Sequence, residues 1–128
     1  MPQRSDLQQK LGYEQRLAAR YRFFVSVVMI SSLKKEVSVR QLLKNTLRSC
    51  DEMYVLEEGI ALLMPHTSLD DALAAVERFK EQCSETVDLR FSIASYPGDA
   101  VSLNLLARAE DRLAAARRGR FGAIVCED

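Results

Sequence analysis

Two short apolar runs on either side of a glycine-containing turn constrain the fold of this chain more than any other segment. The runs cover residues 53–56 and 60–64, and Glu57, Glu58 and Gly59 lie between them. This pattern is typical of a β-hairpin, with a strand, a tight turn and an apolar return strand. The residues just before it, which include Arg48 and Asp51, are predicted to end a helix.

Strand patterns occur on both sides of the hairpin. Residues 23–30 are nearly all apolar and rich in β-branched side chains, which predicts a central strand buried on both faces. Residues 87–93 alternate between apolar and polar side chains, which predicts a strand with one face in the core. Residues 123–126 are predicted to form a short final strand.

Four helices are predicted from apolar residues at helical spacing. Side chains suited to cap their first turns are Ser5 or Asp6, Ser38 within a capping box, Ser68, and Ser102. The order of elements is therefore α-β-α-β-β-α-β-α-β. It indicates an α+β domain with a ferredoxin-like core, in which helices pack on a mostly antiparallel sheet of about five strands.

Length and charge restrict the classes of function. A chain of 128 residues is one domain by length, and we divide it into a lead-in helix at residues 1–22 and a main unit at residues 23–128. The lead-in helix is expected to pack on a partner or on an upstream domain. The formal net charge is +0, so the domain as a whole attracts neither nucleic acid nor a membrane surface.

Targeting signals and cysteine spacing point to the cytoplasm. No apolar run approaches the roughly 18 residues of a membrane span, and the N-terminus lacks the apolar region of a secretory signal. Cys50, Cys83 and Cys126 lie far apart, which favours reduced thiols over a disulfide framework or a zinc site. We expect a cytoplasmic protein without direct membrane insertion.

Three segments resemble the GGDEF family, the diguanylate cyclases, and the likeness extends over about residues 13–126. Residues 63–78 are similar to the segment that follows the family's catalytic hairpin. Residues 91–99 resemble its S-I-G-x-A-x-Y-P strand, and residues 105–120 resemble its L-L-x-x-A-D…A-K-x-x-G-R helix. The resemblance implies a nucleotidyl-cyclase-like sheet and a bacterial signalling role, for example in exopolysaccharide regulation.

Within this resemblance, the positions that carry catalysis differ. The family's first strand ends in aspartates that hold Mg²⁺, whereas Ser31 and Ser32 stand here, and a hydroxyl does not replace a carboxylate as a ligand for a hard dication. The catalytic turn is represented by Glu57, Glu58 and Gly59. Glycines there would let the backbone approach the nucleotide, while two glutamates would repel a triphosphate. We therefore predict a degenerate domain that is not an enzyme and has no catalytic residue, metal or cofactor.

The resemblance also implies a ligand site. Family members often carry an inhibitory Arg-x-x-Asp motif that binds cyclic di-GMP, five residues before the catalytic turn, with a second arginine from the following helix. Arg48 and Asp51 have this spacing, and Arg78 stands at the place of the second arginine. An arginine fork can pair with guanine O6 and N7, and a carboxylate can accept from N1–H and N2–H. We predict a cyclic di-GMP receptor with these three residues as its site.

The same residues also allow a simpler interpretation. The Arg-x-x-Asp pattern recurs at Arg108 and Asp111, where the resemblance assigns no role. Arg48 would then be a solvated cation at a helix end, and Arg78 an exposed member of an ion pair. The alternative function is a scaffold that binds no nucleotide and forms a homodimer, or docks on a partner protein, through its N-terminal helix.

Three further side chains have simple explanations. His66, the only histidine, follows a strand end next to Pro65 and has no nearby carboxylate constellation, so a surface turn is favoured over a catalytic or metal role. Tyr13 and Tyr21 offer an interaction face on the first helix, although packing in the core is the preferred interpretation.

Overall fold

Helices and strands alternate along the computed structural model, which describes residues 2–32, 36–57, 59–83, 89–99, 104–120 and 122–127. The elements in chain order are α1 (Pro2–Tyr21), β1 (Val25–Ser32), α2 (Glu36–Thr46), β2 (Glu52–Val55), β3 (Ile60–Pro65), α3 (Leu69–Gln82), β4 (Leu89–Tyr96), α4 (Leu105–Arg117) and β5 (Ile124–Val125). This order confirms the α+β prediction.

The strands form one sheet in the order β2-β3-β1-β4-β5. β1 lies between β3 and β4 and is antiparallel to both, with Val28 opposite Leu62 on one side and Ile93 on the other. β2 and β3 form the antiparallel hairpin, and only the pairing of β4 with β5 is parallel among the strands described. The mostly antiparallel, ferredoxin-like sheet is therefore confirmed. α4 makes the parallel crossover to β5.

Helices cover both faces of the sheet. The face toward α1 and α4 buries Leu7, Leu11, Ala18, Val25, Val27, Met29, Leu56, Ala61, Leu63, Ala94, Leu105, Leu106, Ala109 and Leu113. The face toward α2 and α3 buries Val28, Ile30, Val39, Leu43, Ile60, Leu62, Met64, Ala72, Val76, Phe79, Leu89, Phe91 and Ile93. β1 is thus buried on both faces, as predicted, but it begins at Val25, and Phe24, which the prediction included, is 49% exposed.

The prediction of one buried face for β4 is wrong. Ser92 and Ala94 are buried as well as Leu89, Phe91 and Ile93, because α4 covers the face that the sequence pattern assigned to solvent. The Ser92 hydroxyl donates to the carbonyl of Ala109 at 2.7 Å, so its burial is compensated by a hydrogen bond. Val87, which we included in this strand, lies outside the described residues.

The first helix packs on the domain's own sheet, contrary to the expectation of a partner or an upstream domain. Leu7 and Leu11 are buried in the core, and Arg4 of α1 forms an ion pair with Glu110 of α4. Tyr13 and Tyr21 are exposed, so the preferred interpretation of core packing is wrong for both rings. The division at residue 22 stays a prediction. No helix in the described ranges is both long and apolar enough to cross a bilayer.

The caps of the last two helices are side-chain oxygens. The Ser68 hydroxyl accepts from the Asp71 amide at 3.2 Å, which confirms the predicted start of α3. α4 begins at Leu105 with Asn104 as its cap, whose side chain accepts from the Ala107 amide at 3.0 Å. Ser102, the predicted cap, lies outside the described residues.

The predicted starts of the first two helices are wrong. α1 already includes Ser5 and Asp6, because its helical conformation extends back to Pro2. α2 begins at Glu36, so Ser38 lies within the helix rather than before it. Both helices therefore begin a few residues before the side chain that was predicted to cap them.

Candidate functional site

A tight turn between α2 and β2 carries the predicted Arg-x-x-Asp pair. α2 ends at Thr46, and the amide of Asp51 then donates to the Arg48 carbonyl at 3.0 Å. The Asp51 carboxylate accepts in return from the Arg48 amide at 3.1 Å. These two reciprocal bonds fix residues 48–51 as a compact turn, which explains why the pair is separated by two residues.

The Arg48 and Asp51 side chains form a forked ion pair across this turn. Arg48 Nε donates to Oδ2 at 3.4 Å, and Nη2 donates to Oδ1 at 3.3 Å. The Arg48 side chain is 53% exposed, whereas that of Asp51 is 1% exposed. The hydrogen bond to Asp51 raises the pKa of Arg48 despite partial burial. The guanidinium therefore shields the carboxylate from solvent.

Thr67, which the sequence analysis missed, holds the other end of the Arg48 side chain. Arg48 Nη2 contacts the Thr67 hydroxyl and donates to the Pro65 carbonyl at 3.3 Å. Thr67 is buried and itself donates to the Pro65 carbonyl at 3.0 Å. The hairpin pairing is the signal that could have found it, because residues before β2 and after β3 meet at the base of the hairpin.

A cleft between α2, α3 and the sheet brings Asp51 together with Arg78. Its volume is about 70 Å³. Thr46 and Gln82 supply further polar groups, and apolar side chains form the floor. Those floor residues are Val28, Ile30, Leu43, Leu47, Leu62, Met64, Ala75, Val76, Phe79 and Phe91. Arg48 joins the group through its bonds to Asp51, so the three predicted residues lie in one region.

The tip of the hairpin is built around Gly59. Leu56 and Gly59 exchange backbone hydrogen bonds, with N···O distances of 2.7 Å and 3.3 Å. Gly59 has φ +148°, and a Cβ added there would lie 2.1 Å from the Ile30 carbonyl oxygen. The glycine thus lets the turn approach the end of β1. Glu57 is exposed, and Glu58 lies outside the described residues.

The end of β1 does not fit a magnesium ion. Ser31 is buried, and its hydroxyl accepts a hydrogen bond from Arg117 Nε at 3.0 Å. A cationic side chain on a neutral oxygen opposes dication binding, which needs several carboxylate or carbonyl oxygens. Ser32 ends the strand. No cluster of three His, Cys, Asp or Glu side chains suited to a metal occurs among the described residues.

A chain of buried hydrogen bonds leads from Thr67 across the sheet. The Ser26 hydroxyl donates to the Thr67 carbonyl at 2.7 Å and lies 2.7 Å from the Ser95 hydroxyl. The Ser95 amide donates to Asp99 Oδ2 at 2.9 Å, and Arg112 Nη2 donates to Asp99 Oδ1 at 2.8 Å. Although burial opposes its ionisation, the hydrogen bonds from Arg112 and Ser95 lower the pKa of Asp99.

Other residues considered from the sequence lie apart from this region. His66 is exposed in the turn after β3, as predicted, and its ring centroid is 4.2 Å from that of Phe23. Arg108 and Asp111, the second copy of the pattern, are both inside α4. The helix places these two residues about one helical turn apart on the same side. They lack the tight, reciprocally hydrogen-bonded turn that joins Arg48 and Asp51.

Sequence and structure comparisons give different results. No protein-family model matches the chain. No curated protein sequence matches it either. Solved structures do match.

Several of the matching structures are GGDEF domains. The GGDEF domain of YfiN (TpbB) from Pseudomonas aeruginosa matches with a TM-score of 0.83 and 21% identity, covering 98% of this chain and 95% of that one. A microbial GGDEF domain with cyclic di-GMP matches with a TM-score of 0.77 and 13% identity, covering 97% and 92%. The GGDEF domain of DgcB from Caulobacter crescentus, in complex with cyclic di-GMP, matches with a TM-score of 0.71 and 11% identity, covering 96% and 89%. This chain therefore has the GGDEF fold.

Proposed function

We propose that this chain is a receptor for cyclic di-GMP and has no cyclase activity. The observation that carries the proposal is that Asp51 and Arg78 line one cleft, while Arg48 is bonded to Asp51 beside it. The GGDEF fold supports it, and so do the two similar GGDEF domains whose structures include cyclic di-GMP.

The three side chains are chemically suited to guanine. A guanidinium fork matches the O6 and N7 acceptors, and a carboxylate accepts from N1–H and N2–H. In the free protein, Arg48 and Asp51 form an ion pair with each other. The ligand would replace this pair, with guanine acceptors bonded to Arg48 and guanine donors bonded to Asp51. Arg78 adds a second cation from α3, where it can contact a phosphate or a second guanine.

The balance of free energies favours this exchange. In the pair of Arg48 and Asp51 the arginine side chain is 53% exposed and that of the aspartate 1%, so water competes for the guanidinium alone. Hydrogen bonds to such a charged group contribute about 1–3 kcal/mol. Each bidentate contact with guanine contributes ~1–3 kcal/mol. The free energy lost when the pair opens is thus smaller than the sum gained from the new contacts. Three contacting groups, Arg48, Asp51 and Arg78, are sufficient for a dissociation constant of about 1 µM.

The proposed lack of cyclase activity rests on residues at the hairpin tip and at the end of β1, away from the ligand cleft. Cyclisation of GTP requires metal-assisted activation and neutralisation of phosphate charge. Ser31 has no carboxylate with which to bind a metal, and its hydroxyl accepts a hydrogen bond from Arg117. The exposed Glu57 adds a negative charge at the tip of the hairpin, where the phosphates of GTP would lie. We further propose a cytoplasmic signalling role in bacteria, within a larger system such as one that controls exopolysaccharide secretion.

Titration calorimetry with cyclic di-GMP tests the proposal. Wild type should bind with a dissociation constant of about 1–10 µM, and Arg48→Ala, Asp51→Ala and Arg78→Ala should each weaken binding by about tenfold or more. Asp111→Ala is the matched control, since Asp111 belongs to the same sequence pattern but lies within α4. It should bind like wild type.

The scaffold alternative predicts a different titration. If the chain binds no nucleotide, wild type produces no heat at ligand concentrations up to high micromolar, and the receptor proposal is wrong. Titrations with GTP and cyclic GMP distinguish the two-guanine ligand from a general affinity for guanine nucleotides.

A further inference from the structure

The solvent face of α1 carries arginines that have no acidic partners. Residues 15–24 include Arg16, Arg20 and Arg22 and contain no acidic residue. All three arginines are exposed, and none of them forms an ion pair within the part of the chain that the structure describes. Glu14, the nearest acid before this segment, is buried and pairs with a lysine. A protein of net charge +0 thus has a local surface with three unbalanced positive charges.

Exposed aromatic rings lie on the same surface. Tyr13, Tyr21 and Phe24 are three of the four large apolar side chains that are exposed among the described residues. Helical spacing puts Tyr13 on one face with Arg16 and Arg20, three and seven positions later. Arg20 lies over the ring of Tyr21, 5.4 Å from its centroid. We call Tyr13, Arg16, Arg20, Tyr21, Arg22 and Phe24 the α1 surface.

The chain turn after α1 sets the position of Arg22. The amide of Phe23 donates to the Ala18 carbonyl at 3.2 Å, which closes the helix in the manner of a Schellman motif. Arg22 has φ +59°, in the left-handed region, at a place where such motifs usually have glycine. The chain therefore keeps an arginine here although its backbone conformation is unfavourable.

An apolar groove of about 230 Å³ lies between Arg22 and Phe24, and its other lining side chains are all uncharged. The adjoining larger groove shares Phe24 but contains the exposed acids Asp70 and Glu127, so the α1 surface ends at that ring. The result is a cationic helix face with aromatic rings and an apolar groove at one end.

We propose that the α1 surface binds the anionic face of a phospholipid membrane. The arginines attract acidic headgroups, while the rings and the apolar groove contact the boundary between headgroups and acyl chains, where aromatic side chains are stable. A convex helix face suits a flat membrane. Single-stranded nucleic acid is instead held in a positively charged groove, and the groove here contains one arginine among apolar side chains.

The contact is peripheral, because α1 stays packed on its own sheet through Leu7 and Leu11. It therefore agrees with the expected lack of membrane insertion. Each arginine near an acidic surface strengthens binding by roughly fivefold, so the three together give about 100-fold. Attraction of this kind is screened beyond about 8 Å at physiological ionic strength, which makes the binding reversible and dependent on salt. The proposal does not depend on nucleotide binding.

Flotation of the whole chain with vesicles tests the proposal. Vesicles of phosphatidylcholine with about half phosphatidylglycerol should carry the protein, whereas pure phosphatidylcholine vesicles should not. Raising the salt concentration from about 0.1 to about 0.5 M should release it.

Arginine variants test which residues make the contact. Arg20→Gln should lower the partition coefficient by about fivefold, and the double change of Arg16 and Arg20 to glutamine by about 25-fold. Arg118→Gln is the matched control, because this exposed arginine follows α4, whose Arg117 contacts the opposite end of β1 from α1. It should bind like wild type.

Arg22→Gly separates membrane binding from stability. Glycine tolerates the positive φ, so the free energy of unfolding in urea should rise, while the partition coefficient should fall by about fivefold. A purely structural role for Arg22 would leave the partition coefficient unchanged.

Tryptophan fluorescence reports whether the aromatic end contacts lipid. The chain has no tryptophan, so Phe24→Trp introduces a single probe. Its emission should shift to shorter wavelength with the phosphatidylglycerol vesicles and not with pure phosphatidylcholine. Glu57→Trp, at the exposed hairpin tip beside the other end of β1, is the control and should show no shift.

Three results would overturn the proposal. They are a wild type that does not float with the phosphatidylglycerol vesicles, a double arginine variant that floats like wild type, and a Phe24→Trp probe whose emission does not shift. Tighter binding of single-stranded oligouridylate than of vesicles, lost in the arginine variants, would assign the surface to nucleic acid instead. Circular dichroism of each variant separates loss of binding from loss of folding.

Discussion

Arg48 lies over the carboxylate of Asp51 and, through the same Nη2 atom, contacts the hydroxyl of Thr67. The guanidinium is thus shared between the turn before β2 and the segment after β3. A ligand that takes Asp51 must also draw Arg48 away from Thr67. The affinity of the candidate site therefore depends on a residue that need not contact the ligand.

Thr67→Val should raise the affinity for cyclic di-GMP by about threefold, because it removes one hydrogen bond that holds Arg48 in the free protein. It should lower the free energy of unfolding by about 1–2 kcal/mol, because the bond from Arg48 and the bond from the Thr67 hydroxyl to the Pro65 carbonyl are both lost. Calorimetry and urea denaturation measure the two effects. Thr67→Ser keeps the hydroxyl and should resemble wild type. A fall in affinity for the valine variant would instead mean that Thr67 positions Arg48 for the ligand.

Gly59→Ala should destabilise the fold by ~2–4 kcal/mol. The alanine Cβ would lie 2.1 Å from the Ile30 carbonyl oxygen, and its backbone would remain at φ +148°. Urea denaturation measures the loss. Gly98→Ala is the control, because the nearest atom to its added Cβ is 3.8 Å away. Equal stability of the two variants would contradict the close approach of the tip to β1.

Asp99→Asn should cost ~2–4 kcal/mol at pH 7, because it leaves Arg112 buried without its counter-charge. The lowered pKa of Asp99, caused by Arg112 and the Ser95 amide against the effect of burial, gives the pH dependence. The stabilisation by the Asp99 charge is fully present above about pH 4, the ordinary pKa of an aspartate in the unfolded chain. It is lost as the pH falls through the lower pKa of Asp99 in the folded protein.

Chemical denaturation of wild type and Asp99→Asn between pH 7 and about pH 2 checks this dependence. The difference between them should shrink below about pH 4. The exposed Asp111→Asn change should produce no comparable difference at any pH. A gap between wild type and Asp99→Asn that stays constant down to the acid limit would show that the Asp99 charge is not the source of the stabilisation.

Incubation with GTP and Mg²⁺ should yield no cyclic di-GMP, measured by liquid chromatography with mass detection. Ser31→Asp should remain inactive, because the new carboxylate would pair with Arg117 and one carboxylate does not complete a magnesium site. Product formation by wild type would refute the proposed lack of cyclase activity, while leaving the ligand titrations to be judged separately.

The sequence predicts the fold largely through local patterns. The continuous apolar run of β1 required helices on both faces of the sheet, and Ser68 marked the start of α3 because its cap is a local interaction. Helix starts failed at Ser5, Asp6 and Ser38, since cap-like side chains also occur within helices. β4 was assigned a solvent face because nothing local records that α4 packs there.

The site was predictable in part. The resemblance to the GGDEF family led to the choice of Arg48, Asp51 and Arg78, but no local pattern gives the contact between Arg48 and Thr67, which lie 19 positions apart. Asp99 and Arg112 form their ion pair across 13 positions, with Arg112 inside α4. Such contacts depend on how the strands and helices are assembled, which follows from tertiary packing rather than from propensity.

The β2–β3 hairpin holds its tip at a fixed distance from the cleft at its base. β3 runs from Ile60, beside the tip, to Pro65, which accepts from Arg48, and six extended residues cover about 17 Å. In a variant whose three free cysteines are replaced by serine, a fluorescent label on a cysteine introduced at the exposed Glu57 would therefore stand clear of the cleft while remaining on the same pair of strands. The hairpin thus offers a built-in attachment point for an optical sensor of whatever occupies its base.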